Sequence, residues 1–189
     1  MRKKNIIIIA GPNGAGKTTL APFLHSNYAI EESVNPDIIA DGLSLHPQSV
    51  AFQSGRIALM RIKKFLASNK SFAYETTLAS HTVRHILNSR YRDNYHVSLH
   101  FLALPSAKMA MQRVEHRVSQ GGHDIPDDVI ERRFKRGLTN FLSHYQYDVD
   151  EWVLYDALDN SKVIAYRNKN SAVEVLLPNY FNRLEAYND

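Results

Sequence analysis

Asn5-Ile6-Ile7-Ile8-Ile9-Ala10-Gly11-Pro12-Asn13-Gly14-Ala15-Gly16-Lys17-Thr18-Thr19-Leu20 is the stretch that decides the fold. Four consecutive isoleucines make a short β-branched apolar run, whose length suits a strand buried on both faces. A glycine-rich turn follows, and Thr18 to Ala21 open a helical pattern. The turn matches Gly-x-x-x-x-Gly-Lys-Ser/Thr at every fixed position, in the strand, loop and helix setting that this phosphate-binding pattern requires. Gly11, Gly14 and Gly16 let the backbone curl until successive N–H groups point inward at phosphate oxygens. The start of the following helix adds partial positive charge at the same point. Gly11, Pro12, Asn13, Gly14, Ala15, Gly16, Lys17, Thr18 and Thr19 are thus the expected contacts of a nucleoside triphosphate. Lys17 would reach the β- and γ-phosphates, and the Thr18 hydroxyl would ligate Mg²⁺. The plainer alternative is a glycine turn with a solvated lysine, and the flanking strand and helix argue against it.

Composition sets the bounds. The 189 residues, 44% of them apolar, suffice for one domain, expected to span 1–189 with a substantial core. No stretch approaches the ~20 apolar residues of a membrane span. The Ile6–Ala10 run is too short for a signal sequence and lacks a cleavage pattern. With no cysteine there are no disulfides or thiolate metal sites, which fits a reducing compartment, and the expectation is a cytoplasmic protein. A net charge of +4 and a pI near 9.2 favour anionic partners modestly, which a phosphate-handling site already explains. No basic patch interleaved with aromatics is evident, so nucleic acid is not the expected partner.

Downstream, Tyr28 to Asn35 reads as a second strand, ended by Asn35-Pro36-Asp37 because Pro36 cannot continue a sheet ladder. In an open α/β sheet that point is the carboxyl edge, where ligands bind. Asp37 is therefore either a general base for a substrate hydroxyl or the N-cap of the next helix, and the spacing favours neither. A break at His46-Pro47 precedes a long helix over 48–69, with Ile57, Ala58, Ile62, Phe65 and Leu66 at helical spacing. Ser71 to Thr77 is the next strand, and Glu75 at its end can support Mg²⁺, its water shell or a substrate hydroxyl. Ser80 is the expected cap of a helix to about Arg90, and Tyr95 to Leu104 forms a fourth strand. His81/His85 and His96/His100 stand four apart, but no third ligand marks a metal site.

Ser106 caps a helix through Val118, and Gln120-Gly121-Gly122 breaks it. Pro126-Asp127-Asp128 opens another helix to about Tyr145, with Ile130, Phe134, Leu138, Phe141 and Tyr145 as its buried stripe. Two arginine-bearing helices around a Gly-Gly hinge suggest a lid over 113–136, closing on a transferring phosphoryl group. Arg113 and Arg117 are its first candidates, followed by Arg133 and Arg136; solvated surface arginines are the ordinary alternative. Glu151 to Tyr155 is a fifth strand, 162–167 an edge strand and 172–177 a further short strand before a C-terminal helix.

Together these residues resemble the zeta toxin family of phosphate-loop kinases, in particular its small stand-alone bacterial members, over Ile6 to about Phe141. The resemblance rests on Gly11–Thr18, Asn35-Pro36-Asp37, Tyr74-Glu75-Thr76-Thr77, Arg113-Val114-Glu115 leading to Gly121-Gly122-His123-Asp124-Ile125-Pro126, and Arg132-Arg133-Phe134. Zeta toxins phosphorylate the amino-sugar 3′-hydroxyl of UDP-N-acetylglucosamine with ATP and Mg²⁺, and a small antitoxin usually restrains them. Carried over, the resemblance makes Lys17 the phosphate lysine, Thr18 the Mg²⁺ ligand, Asp37 the catalytic base and Arg113 the first lid arginine. It gives Glu75 and Thr77 to the sugar-nucleotide substrate. Two departures stand out: Glu75-Thr76-Thr77 replaces the family's Glu-Gly-Thr, and its second lid arginine falls on His123, passing that role to Arg117, Arg133 or Arg136. The expected fold is a three-layer α/β domain of the P-loop nucleoside triphosphate hydrolase type, with a mostly parallel five-stranded sheet in nucleoside-kinase-like order. The expected reaction is phosphoryl transfer to a small-molecule hydroxyl, a UDP-sugar by resemblance. A nucleoside or other sugar kinase, or an ATPase acting with nucleic acid, are the alternatives.

Overall fold

The computed structural model describes residues 3–43 and 47–187. In chain order its elements are β1 (Lys4–Ala10), α1 (Lys17–Tyr28), β2 (Glu32–Val34), α2 (Pro36–Asp41), α3 (Pro47–Ala67), β3 (Phe72–Thr76), α4 (Thr82–Leu87), β4 (Tyr95–Ala103), α5 (Ala107–Ser119), α6 (Asp127–Asn140), α7 (Gln146–Asp148), β5 (Glu151–Asp156), β6 (Lys162–Arg167), β7 (Glu174–Val175) and α8 (Pro178–Glu185). A single turn of 3-10 helix, Arg92–Asn94, leads into β4, and a π-helical turn, Phe141–Tyr145, joins α6 to α7.

The strands form one sheet in the order β2-β3-β1-β4-β5-β6-β7. The first five are parallel, in the nucleoside-kinase order expected from the sequence. Ile6 to Ile9 are wholly buried, as a run without alternation requires of a central parallel strand covered on both faces. Each such side chain contributes about 1.5–3 kcal/mol by leaving water. From β1 the chain goes out to the edge strand β2, returns through β3 beside β1 and then crosses to β4 on its other side. The order thus reverses beside β1, and ligands bind outside the carboxyl ends of the strands at such a point.

The sheet has seven strands where five were expected. After β5 the chain turns back through Asn160 and Ser161, both at positive φ, and Lys162 N–H donates to Asp159 O at 2.7 Å. So short a connection can only make an antiparallel neighbour, and β6 and then β7 extend the same sheet by antiparallel pairing. The strand read over 28–35 shrinks to β2, because α1 continues to Tyr28. It ends there through Ala29 at φ +50°, with Ile30 N–H donating to His25 O at 2.9 Å. Ser80 does not cap α4, whose N-cap is His81; the Ser80 hydroxyl instead donates to Thr82 Oγ1 at 3.2 Å. Ser106 does cap α5, accepting from Met109 N–H at 3.2 Å. Of the break read at His46-Pro47, His46 lies outside the described residues and Pro47 opens α3. Among the described residues no helix is long and apolar enough to cross a membrane.

Candidate active site

The phosphate loop hangs between β1 and α1. Gly16 occupies the N-cap of α1 at φ +90°, and no side chain caps the helix or places acid in its first turn. Asp, Asn or Ser would ordinarily satisfy the leading N–H groups of a helix, so leaving them uncapped prepares an anion site. The Lys17 ammonium is drawn inside the curl, donating to the carbonyls of Gly11 and Pro12 at 3.0 Å each. Burial holds its pKa below that of a free lysine. Asp37 and Glu75 pull it the other way, while Arg133 and Arg117 add to the lowering. Four side chains from four separate stretches of sequence thus act on the Lys17 charge across the loop.

Glu75 is 6% exposed at the end of β3, and Thr18 Oγ1 donates to its Oε2 at 3.2 Å. This hydroxyl and carboxylate pair suits Mg²⁺, which takes one or two protein ligands and completes its shell with phosphate oxygens and water. Among the described residues no group of three or more His, Asp or Glu side chains could hold a metal by itself.

The cap question at Asp37 is resolved by its neighbour. Asn35 is the N-cap of α2, its Oδ1 accepting from Asp37 N–H at 2.9 Å and Ile38 N–H at 3.3 Å, with Pro36 at N1. The Asp37 carboxylate, relieved of capping, is exposed on the first turn of α2 and faces Lys17 and Arg133 electrostatically. The sequence reading offered Asp37 as the cap and passed over Asn35, although Asn followed by Pro is an ordinary helix start.

The four arginines separate. Arg113 Nε donates to Gly14 O at 2.6 Å, and α5 packs so closely on the loop that a Cβ on Gly14 would lie 2.9 Å from Arg113 Cβ. Arg133 Nη1 donates to Asn13 Oδ1 at 3.4 Å. Burial lowers its pKa, Asp37 opposes that shift and Arg132 adds to it; a guanidinium stays charged regardless. Arg117 Nη2 donates to His123 O at 2.6 Å, holding the Gly121-Gly122 turn, and His123 Nδ1 approaches Asp41 Oδ1 at 3.9 Å. Arg136 is exposed and makes no hydrogen bond or ion pair among the described residues. Thr77 is half-buried just past Glu75, where α6 passes over it. Sequence reasoning missed the two residues of α6 that make this passage possible, Gly137 and Asn140, because neither bears a recognisable motif.

His96 and His100, read as sharing a strand face, go to different partners. His96 Nε2 lies 3.2 Å from Glu151 Oε1, and His100 Nδ1 lies 3.0 Å from the Tyr155 hydroxyl.

A family model for the zeta toxin, described as "Zeta toxin", matches residues 1–171. The chain belongs to the zeta toxin family. An uncharacterized protein of Haemophilus influenzae is 25% identical over 131 residues, covering 68% of this chain and 91% of that one. The crystal structure of AvrRxo1-ORF1:-ORF2 with ATP superposes with a TM-score of 0.74 at 16% identity, over 96% of this chain. This chain spans only 63% of the length of that one. The toxin-antitoxin system PezAT of Streptococcus pneumoniae gives a TM-score of 0.62 at 11% identity, over 99% of this chain and 86% of that one. Family and fold together support an ATP-dependent kinase in general terms.

Proposed function

We propose that this chain transfers the γ-phosphoryl group of ATP to a hydroxyl of a small molecule, and that the acceptor is a UDP-activated amino sugar such as UDP-N-acetylglucosamine. The observation that carries this reading is the Lys17 ammonium folded inside the glycine curl at a helix start left uncapped, with the Thr18–Glu75 pair beside it and Asp37 relieved of capping by Asn35. In the step itself, the acceptor oxygen attacks the γ-phosphorus, the bond from that phosphorus to the bridging oxygen of ADP breaks, and the hydroxyl proton passes to Asp37. Lys17 and the loop N–H groups hold the phosphates, and the arginines offset charge on the equatorial oxygens. Thr18 and Glu75 would hold Mg²⁺, which supplies charge neutralisation between the β- and γ-phosphates when bound. Of the three arginines left to fill the second lid position, we assign Arg133, which already reaches the loop through Asn13, ahead of Arg117 and the exposed Arg136. Arg113 remains the first, and Thr77 joins Glu75 on the acceptor.

A small antitoxin protein is the partner that this reading brings with it, in line with the toxin-antitoxin system among the structural relatives. The activity is tested by incubating the protein with ATP, Mg²⁺ and a panel of UDP-sugars and nucleosides, followed by mass spectrometry. Phosphorylated UDP-N-acetylglucosamine, absent with Asp37→Asn although that variant still binds ATP, is the expected result. Phosphate on a nucleoside alone would overturn the acceptor, and ATP turnover with no phosphorylated acceptor would overturn the kinase reading.

A further inference from the structure

Leu78, the third residue after Glu75, lies in the left-handed region at φ +62° with its side chain fully buried. A leucine gains nothing locally from that conformation, which persists only where the surroundings over-determine it. Three contacts do so. The Leu78 N–H donates to Thr76 Oγ1 at 3.0 Å, and the Leu78 carbonyl accepts from Asn140 Nδ2 at 2.8 Å. The Thr77 carbonyl rests against Gly137, so close that any Cβ there would sit far inside contact distance.

Gly137 and Asn140 are one turn apart on α6, and Arg133 lies one turn before Gly137. Positions 133, 137 and 140 therefore form one stripe of the helix. Its near end reaches Asn13 of the phosphate loop, and its far end grips Thr77 and Leu78 beside Glu75. The far end is itself anchored, since Phe141 is fully buried with its ring 5.0 Å from Phe101 and 5.3 Å from Trp152.

We infer that Gly137 and Asn140 are positioning residues: acting through Thr77 and Leu78, they hold the loop after β3 at a set distance from the phosphate loop and so determine how tightly the acceptor binds. The clause on the acceptor rests on the kinase reading, whereas the clause on the loop does not. Two measurements on Asn140→Ala separate them. Amide hydrogen exchange without ligand is expected to quicken about tenfold over residues 76–80, with residues 11–19 unchanged; equal rates over 76–80 would overturn the inference. With ATP and UDP-N-acetylglucosamine as probes, the acceptor KM is expected to rise about tenfold while kcat and the KM for ATP stay within twofold. A rise in both KM values, or a fall in kcat alone, would also overturn it. Gly137→Ala, which must push the Thr77 carbonyl away, is expected to quicken exchange over the same five residues, and unchanged exchange there would count against the stripe. If the wild-type protein phosphorylates no acceptor, the kinase reading fails and the exchange comparison alone decides the inference.

Discussion

The two sides of the candidate site are made of different material. On the phosphate side the proposed binding groups are backbone N–H donors within one contiguous stretch, Gly11 to Thr19, in which only Pro12 lacks an N–H, shaped by turn geometry and one helix start. On the proposed acceptor side they are side chains from three distant segments: Asp37 on α2, Glu75 at the end of β3 with Thr77 just past it, and Arg133 on α6. A contiguous backbone site stands or falls as a unit, whereas a site assembled from separate elements loses one function at a time. The first arrangement suits a ligand part common to many proteins. The second leaves the acceptor adjustable.

The sharpest way to break this contrast is a pair of substitutions. Lys17→Met is expected to slow transfer by about 10³-fold or more and to weaken ATP binding with it, read by product formation and calorimetry. Asp37→Asn is expected to slow transfer by about 10²–10³-fold while the Kd for ATP stays within twofold. If Asp37→Asn weakened ATP binding as much as Lys17→Met, the two sides would be one. Beneath both lies His100, which pairs in register with Ile9 and is 3% exposed. Burial pushes its pKa down to about 4 from an ordinary 6.5, with Glu151 opposing. The unfolded chain therefore takes up this proton first, and stability falls as pH drops from 6.5 toward 4, by about 3 kcal/mol from this residue alone. Urea unfolding at pH 7 and 4.5 should show that loss in the wild type and not in His100→Phe. Removing Arg133 by Arg133→Ala is expected to cost roughly ten- to hundredfold in transfer, with Arg136→Ala nearly silent; equal effects would move the second lid role. The smallest effect belongs to Asn35→Ala. Loss of this cap should cost about 1 kcal/mol, a Tm shift of about 2–4 °C by calorimetry.

What could be read in the sequence follows the same division. Lys17 and its loop were legible because their geometry is local: the glycines, the lysine and the hydroxyl are fixed by neighbours a few residues away. The parallel core was legible too, since Ile6–Ile9 admits few other settings. Both β6 and β7 were read as strands, over 162–167 and 172–177; the five-strand count failed because no strand pattern shows that the turn at Asn160-Ser161 folds them onto the same sheet. At Asp37 the spacing left two roles open because it placed the acid without saying which side chain closed the helix; the Asn35 contacts remove the cap role, and the base role is the one proposed. Asn140 was out of reach for a further reason: its partner Leu78 lies 62 residues away, and no local pattern marks a long-range amide donor.

The loop's glycines answer to different neighbours. At Gly11 an added methyl would stand 2.5 Å from the Leu102 carbonyl, at Gly14 it would strike α5, and at Gly16 it would meet nothing within 4 Å. A signature normally taken as the imprint of one ligand is thus a joint specification, written partly by the protein's own masonry. An inactive Gly11 variant would testify to a spoiled joint between two strands, and a Gly16 variant would touch no neighbour yet strain the backbone at φ +90°.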